Sequence, residues 1–197
     1  MNLAELQQEV YTITNRPDLV NETLTAIRSA TLKLHQLDYF YKDVFETGVV
    51  FIAPAYKQQL DYRALIPQWR ALKYLRRTDS QGMDTGPFFE IVTVPELTID
   101  QYQTNRDNIC YVAGSLIQIR SSTEFQYAIL GCYVNPNITV SGYNSWIALD
   151  HPYAIVFEAA ASVFKMIGET DQFAAYTRLA MEHQELLKIS NIQAQGY

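Results

Sequence analysis

Cysteine is nearly absent from this chain: Cys110 and Cys132 are the only two in 197 residues. Two thiols cannot build a four-ligand metal site or a disulfide framework, and with no signal peptide ahead of Asn2 they are expected to be free thiols in a reducing compartment. No apolar run approaches the roughly 20 residues that a membrane-spanning helix needs, so no membrane partner is expected. Charge is sparse, at 18% of residues, and acidic in balance, with 15 Lys and Arg against 21 Asp and Glu for a formal charge of -6. With that balance a non-specific grip on nucleic-acid phosphates is not expected, although DNA passing by is tolerated. Also missing are a glycine-rich phosphate loop, a nucleophile elbow and a Cys-x-x-Cys pair. His35, His151 and His183 fall on three separate expected helices, none with a second histidine, cysteine or carboxylate at ligand spacing, and are read as structural or surface residues. No catalytic, cofactor-binding or metal-binding residue is nominated, and no cofactor is expected.

What the chain does have is apolar surface. Hydrophobic residues make up 48% of it, and 14 are tyrosines. A length of 197 residues suits one domain, or one domain with a large insertion, burying roughly 70% of the surface of the unfolded chain. Low charge and many tyrosines point to surface covered by a partner, since tyrosine offers rigid contact area with a polar tip. Tyrosines lining a β-sheet are the alternative.

Asn2 and Glu5 form a capping-box start, and Leu3, Leu6, Val10 and Ile13 follow at helical spacing. Pro17 and Asp18 suit the first turn of a second helix, whose stripe of Val20, Leu24, Ile27, Thr31 and Leu34 runs to about Leu37. From Asp38 the period changes. Val49 to Ile52, Tyr56 to Tyr62, Ala71 to Arg77 and Phe88 to Thr93 read as β-like runs, the last two as a hairpin around the loop 79–87. Pro95 to Arg106 is predicted as a short helix. Cys110 to Ala113, Leu116 to Arg120 and Phe125 to Val134 read as a three-strand meander turning at Gly114 and at Ser121 to Glu124.

Asp150 is expected to cap a third helix with Pro152 in its first turn, apolar around much of its circumference and stopped by Gly168. A fourth helix begins at Thr170, with Phe173, Tyr176, Leu179, Ala180, Leu186 and Leu187 directed inward. The expected fold is α+β: a four-helix core from the two chain ends (1–46 and 147–189), a β-rich antiparallel insertion (47–146) and an extended C-terminal arm (190–197). The arm, Ser190, Asn191, Ile192, Gln193, Ala194, Gln195, Gly196 and Tyr197, is polar. Eight extended residues reach roughly 26 Å, enough to lie on a neighbour.

Trp69, Arg70, Lys73, Tyr74, Arg76 and Arg77 form the one basic and aromatic cluster. In a strand its charges alternate between faces, which favours a charge-protected sheet edge over a nucleic-acid stripe.

Four stretches taken together, Thr14 to Val20, Tyr111 to Gly114 with Ile117 to Ser122, Trp146 to Pro152, and Ser190 to Tyr197, resemble the head-to-tail adaptor (connector) proteins of short-tailed bacteriophages. The resemblance implies a structural virion protein and no reaction. It implies a homo-dodecameric ring in the neck or tail region, assembled in the host cytoplasm, that links the portal protein to the tail and continues the DNA channel. It further implies that Ser190 to Tyr197 reach the portal, that the β-rich part faces tail nozzle or tail fibre proteins, and that DNA is met only in passage. Two other classes stay open on the residues alone. One is a virion-associated cell-wall hydrolase or other small enzyme whose groups converge only in three dimensions; the other is a nucleic-acid module built on residues 69–77.

Overall fold

The computed structural model describes residues 1–93 and 107–194, with backbone alone for 193 and 194. The helix predicted over Pro95 to Arg106 lies outside the described residues. The chain divides into two compact units, one of residues 1–43 with 135–197 and one of residues 44–134.

The first unit is helical. Helix α1 (Leu3–Thr14) opens with the capping box: Asn2 Oδ1 accepts the Glu5 N–H while the Glu5 carboxylate accepts the Asn2 N–H. It stops at Asn15, which takes the left-handed conformation that asparagine tolerates. Helix α2 (Val20–His35) starts later than the sequence predicts, because Asp18 pairs with Arg16 rather than serving the helix dipole. Helix α5 (Pro152–Ile167) is the centre of the unit and packs against α1, α2 and α6 (Thr170–Ala194). Its Ala154, Ala159, Ala160 and Ala161 are buried, and their small side chains let neighbouring helices approach closely. Ile155, Val156, Val163 and Phe164 fill the space between, with Leu6, Val10, Ile27 and Leu34 facing them. Glu158 on α5 ties the bundle at its rim, accepting from Lys33 on α2 and from Gln184 on α6 (2.9 Å). Gly168, at φ 84°, ends α5 in the left-handed cap.

A short extra helix, α4 (Trp146–Asp150), precedes α5. Its cap is Ser145, whose Oγ accepts the Ala148 N–H at 3.3 Å. Asp150 therefore does not cap α5, as its sequence position predicts. It ends α4, and its carboxylate takes a hydrogen bond from Lys42 (2.6 Å), which raises the lysine's pKa.

The second unit is a six-stranded mixed sheet coiled into a nearly closed, barrel-like form: β1 (Val44–Asp61), β2 (Trp69–Thr78), β3 (Asp84–Phe88), β4 (Glu90–Ile91), β5 (Ile109–Ala113) and β6 (Leu116–Val134). The 19-residue β6 organises it. Strand β1 runs antiparallel along one edge of β6, while β5 pairs with its first half and β2 with its second. Ile117, Ile119, Phe125, Ala128, Leu130 and Cys132 of β6 point inward with Leu75, Cys110 and Phe51. Helix α3 (Tyr62–Leu65) follows β1 directly, capped by Asp61.

These elements correct the expected fold class in three respects. Six α-helices stand among the described residues, five of them in the helical unit, so that unit is not a four-helix core. The sheet is mixed rather than antiparallel, because β4 pairs parallel with β5. Most directly, no extended arm leaves the fourth helix at Ser190: α6 continues unbroken to Ala194.

The turn expected at Ser121 to Glu124 is also absent. The polar residues that signalled it are satisfied inside a continuous strand, where Ser121 Oγ (2.9 Å) and Thr123 Oγ1 accept from the buried Arg77 and Ser122 bonds to Asn108 (3.1 Å). The strand expected to end at Tyr62 stops one residue earlier, and the Tyr62 hydroxyl donates to the Gly114 carbonyl at 2.9 Å.

Candidate functional site

Of the residues nominated for portal contact, Ser190, Asn191, Ile192, Gln193 and Ala194 lie in the last turn and a half of α6, while Gln195, Gly196 and Tyr197 lie outside the described residues. Asn191 is 5% exposed. Its Oδ1 accepts the Tyr41 N–H and its Nδ2 donates to Asp38, both at 3.3 Å. The position belongs to the helix's inward stripe: Ala180, Leu187 and Asn191, spaced by seven and four, are all buried. Outward stand Met181, Leu186, Ile189 and Ile192, each about half exposed. Leu186, expected inside, is among these outward residues. These four large apolar side chains are spread over three turns of the helix and interleaved on that side with the exposed Glu182 and Glu185, which pair with Arg178 (3.9 Å) and Lys188 (2.9 Å).

The sheet unit offers a second apolar projection. Between Val50, opposite Tyr127, and Ala55, opposite Phe125, four residues of β1 face one residue of β6. The bulge is pinned by two glutamine side chains: Gln126 donates to the Phe51 carbonyl (3.1 Å), and Gln58 to the carbonyls of Ala53 (2.8 Å) and Phe125 (3.0 Å). Phe51 turns inward, edge-on to Phe125, and leaves Val50 and Ile52 outside, with Ile52 fully exposed at 104%. A stretch held this firmly presents its apolar tip at little further entropy cost.

One polar constellation was not foreseen from the sequence. His35, 1% exposed, contacts Asp43 Oδ1 through Nδ1 (2.7 Å) and Ser145 Oγ through Nε2 (2.9 Å). The Trp146 indole N–H donates to the same Asp43 oxygen at 2.7 Å. One proton arrangement satisfies all four groups. Nδ1–H donates to Asp43, Ser145 O–H donates to Nε2, and Ser145 Oγ accepts from Ala148. This is the order of groups in a serine hydrolase triad. Asp43 is 4% and Ser145 5% exposed, however, and the serine oxygen is engaged as a helix cap. What it does here is join the end of α2, the turn at Tyr41–Asp43 and the start of α4. Residues separated by about 100 positions meet in it, and no spacing in the sequence signals that.

No protein-family model matches the chain, and no curated protein does. The site is therefore characterised by its own geometry. His151 sits between α4 and α5 with its ring edge-on to Trp146, and His183 lies edge-on to Phe157. Among the described residues no group of three His, Cys, Asp or Glu is placed to hold a metal ion. Nor is any helix among them long and apolar enough to cross a membrane. The cluster from Trp69 to Arg77 is divided as alternation requires: Arg76 meets Asp84 (2.9 Å) and Glu46 at the surface, whereas Arg77 is buried under Phe89. The Tyr74 hydroxyl donates to Glu46, and burial followed by that bond pushes its pKa up to about 12.

Proposed function

We propose that this chain is a structural subunit of a phage head-to-tail adaptor ring, joining a portal protein to tail components around the DNA channel. The observation that carries the reading is the outward face of α6, Met181, Leu186, Ile189 and Ile192. Leaving four such side chains half exposed forgoes a few kcal/mol of burial in the lone chain, which a neighbour in a ring would recover. The exposed bulge around Ile52 fits a contact to a tail protein, and the acidic balance suits a channel through which DNA slides. Portal contact falls to the end of α6, through Ile192 and the residues that follow it, since Asn191 is engaged within its own subunit. The test is to mix the chain with purified portal and image the product, with Met181→Asp/Ile189→Asp alongside. Ring formation by the unaltered chain and its loss in the variant are expected. Rings that form equally well from both remove α6 from the interface.

A second reading, a small hydrolase, has the Ser145, His35 and Asp43 order in its favour. Burial of the serine weighs against it. Stoichiometric labelling of Ser145 in the folded protein by a fluorophosphonate would reinstate it.

A further inference from the structure

Strand β1 leaves one of its edges open. Among the described residues it pairs with β6 alone. In an antiparallel ladder that uses the backbone groups of every second residue and turns those of the residues between toward the other side. A row of unpaired N–H and C=O groups is a template for another strand, and folded proteins guard such edges with charge, proline or a bulge.

On β1 that protection covers only part of the strand. The bulge after Val50 and Pro54 interrupt its middle, whereas Val44 to Val50 run in unbroken register against Tyr133 to Tyr127. These seven residues, Val-Phe-Glu-Thr-Gly-Val-Val, contain no proline and a single charge, Glu46. That charge does not guard the edge. Glu46 lies opposite Gly131 of β6, and Gly131 lies opposite Tyr74 of β2. Because Gly131 has no side chain, the Tyr74 ring covers it and the hydroxyl reaches the Glu46 carboxylate, with Arg76 at 3.8 Å. The carboxylate is drawn across the sheet, away from the open side, while Phe45 and Val50 stay 45% and 67% exposed.

The segment is complementary to itself. Two antiparallel copies centred on Thr47 set Val44 against Val50, Phe45 against Val49, Glu46 against Gly48 and Thr47 against its own counterpart. All seven residues then pair, and the contacts include an aromatic with a β-branched side chain and two threonines, both favourable across strands. Centring on Glu46 joins fewer residues and sets two carboxylates face to face; centring on Gly48 runs the pairing into the bulge.

We propose that β1 pairs with β1 of a second copy of this chain, antiparallel over Val44 to Val50 and centred on Thr47, joining two sheets edge to edge. The inference concerns the chain by itself and rests neither on the adaptor reading nor on the outward side of α6.

The test is sedimentation of the full chain, without portal, across the micromolar range, where a reversible equilibrium of monomer and dimer is expected. A Cβ on Gly48 meets nothing within 4 Å, so Gly48→Glu and Gly48→Lys should both fold. Facing Glu46 of the second copy, Gly48→Glu should weaken the dimer and Gly48→Lys strengthen it, with dissociation constants at least about fivefold apart. Thr47→Cys should give a disulfide-linked dimer on oxidation, since the two copies of that position face each other. Gly48→Cys should not, because in the same register its two copies are offset by two residues, beyond the roughly 7 Å that a disulfide spans. Both natural cysteines are buried and stay out of the reaction. Met181→Asp/Ile189→Asp should dimerise like the unaltered chain. A chain that stays monomeric through the micromolar range would overturn the proposal and leave the edge to a strand of a different protein. So would a dimer indifferent to the sign of charge at position 48, one that Thr47→Cys does not lock, or one lost with the α6 substitutions.

Discussion

Replacing Asp43 by alanine removes the acceptor on which the His35 network converges. Two donors lose their partner at once, the His35 Nδ1–H and the Trp146 Nε1–H, both at 2.7 Å from the same oxygen. His35 and Asp43 are at most 4% exposed, so water does not readily replace the lost carboxylate. A buried donor left unsatisfied costs about 1–3 kcal/mol, and the pair together about 3–5 kcal/mol. With a urea dependence near 1.5 kcal/mol per molar, the midpoint should fall by about 2–3 M. Trp146 emission reports the loss directly, and Trp69→Phe in the background silences the other tryptophan. Asp43→Asn keeps one oxygen acceptor and should lose about half as much. A midpoint that moves by less than about 0.5 M in Asp43→Ala would refute the view that this network holds α2, the Tyr41–Asp43 turn and α4 together.

Gly131 lies under Tyr74, and a Cβ there would sit 2.3 Å from the ring, so Gly131→Val should expel the tyrosine, break its bond to Glu46 and cost about 2–4 kcal/mol in thermal unfolding of the sheet unit. Gly168→Ala forces a side chain into φ 84° and should lower stability by about 1 kcal/mol without changing helix content by circular dichroism. Burial pushes the Cys110 thiol up to about 12 and Cys132 to about 11 from an ordinary 9.0, so neither should react with a thiol reagent at pH 8 until the chain unfolds. The folded thiols stay protonated where the unfolded ones ionise, so their contribution is complete below pH 9 and is lost as pH climbs from 9 toward 12; a midpoint that rose over that interval would contradict it.

Local signals in the sequence were strong where one short stretch contains its own physics. The Asn2 and Glu5 capping box, the apolar run of α5 and the glycine stop at Gly168 all appear at their expected places. Reading failed where a polar residue is satisfied by a distant partner. Asn191 reads from the sequence as part of a polar arm because its acceptor and donor sit at Asp38 and Tyr41, about 150 positions away. Ser121 and Thr123 looked like a turn because Arg77, which they bind, belongs to another strand. Asp150 looked like a helix cap because nothing nearby shows that Lys42 claims it and Ser145 does the capping. The same rule explains why the His35 constellation stayed invisible: its members are local to nothing but the fold.

The proposed state of this chain is a ring assembled on a portal. Native mass spectrometry of the complex formed with purified portal measures this directly, by counting copies of the 22.6 kDa subunit in the particle. Twelve copies are expected. A chain that remains monomeric in the presence of portal, or binds it one to one without closing a ring, would contradict the account.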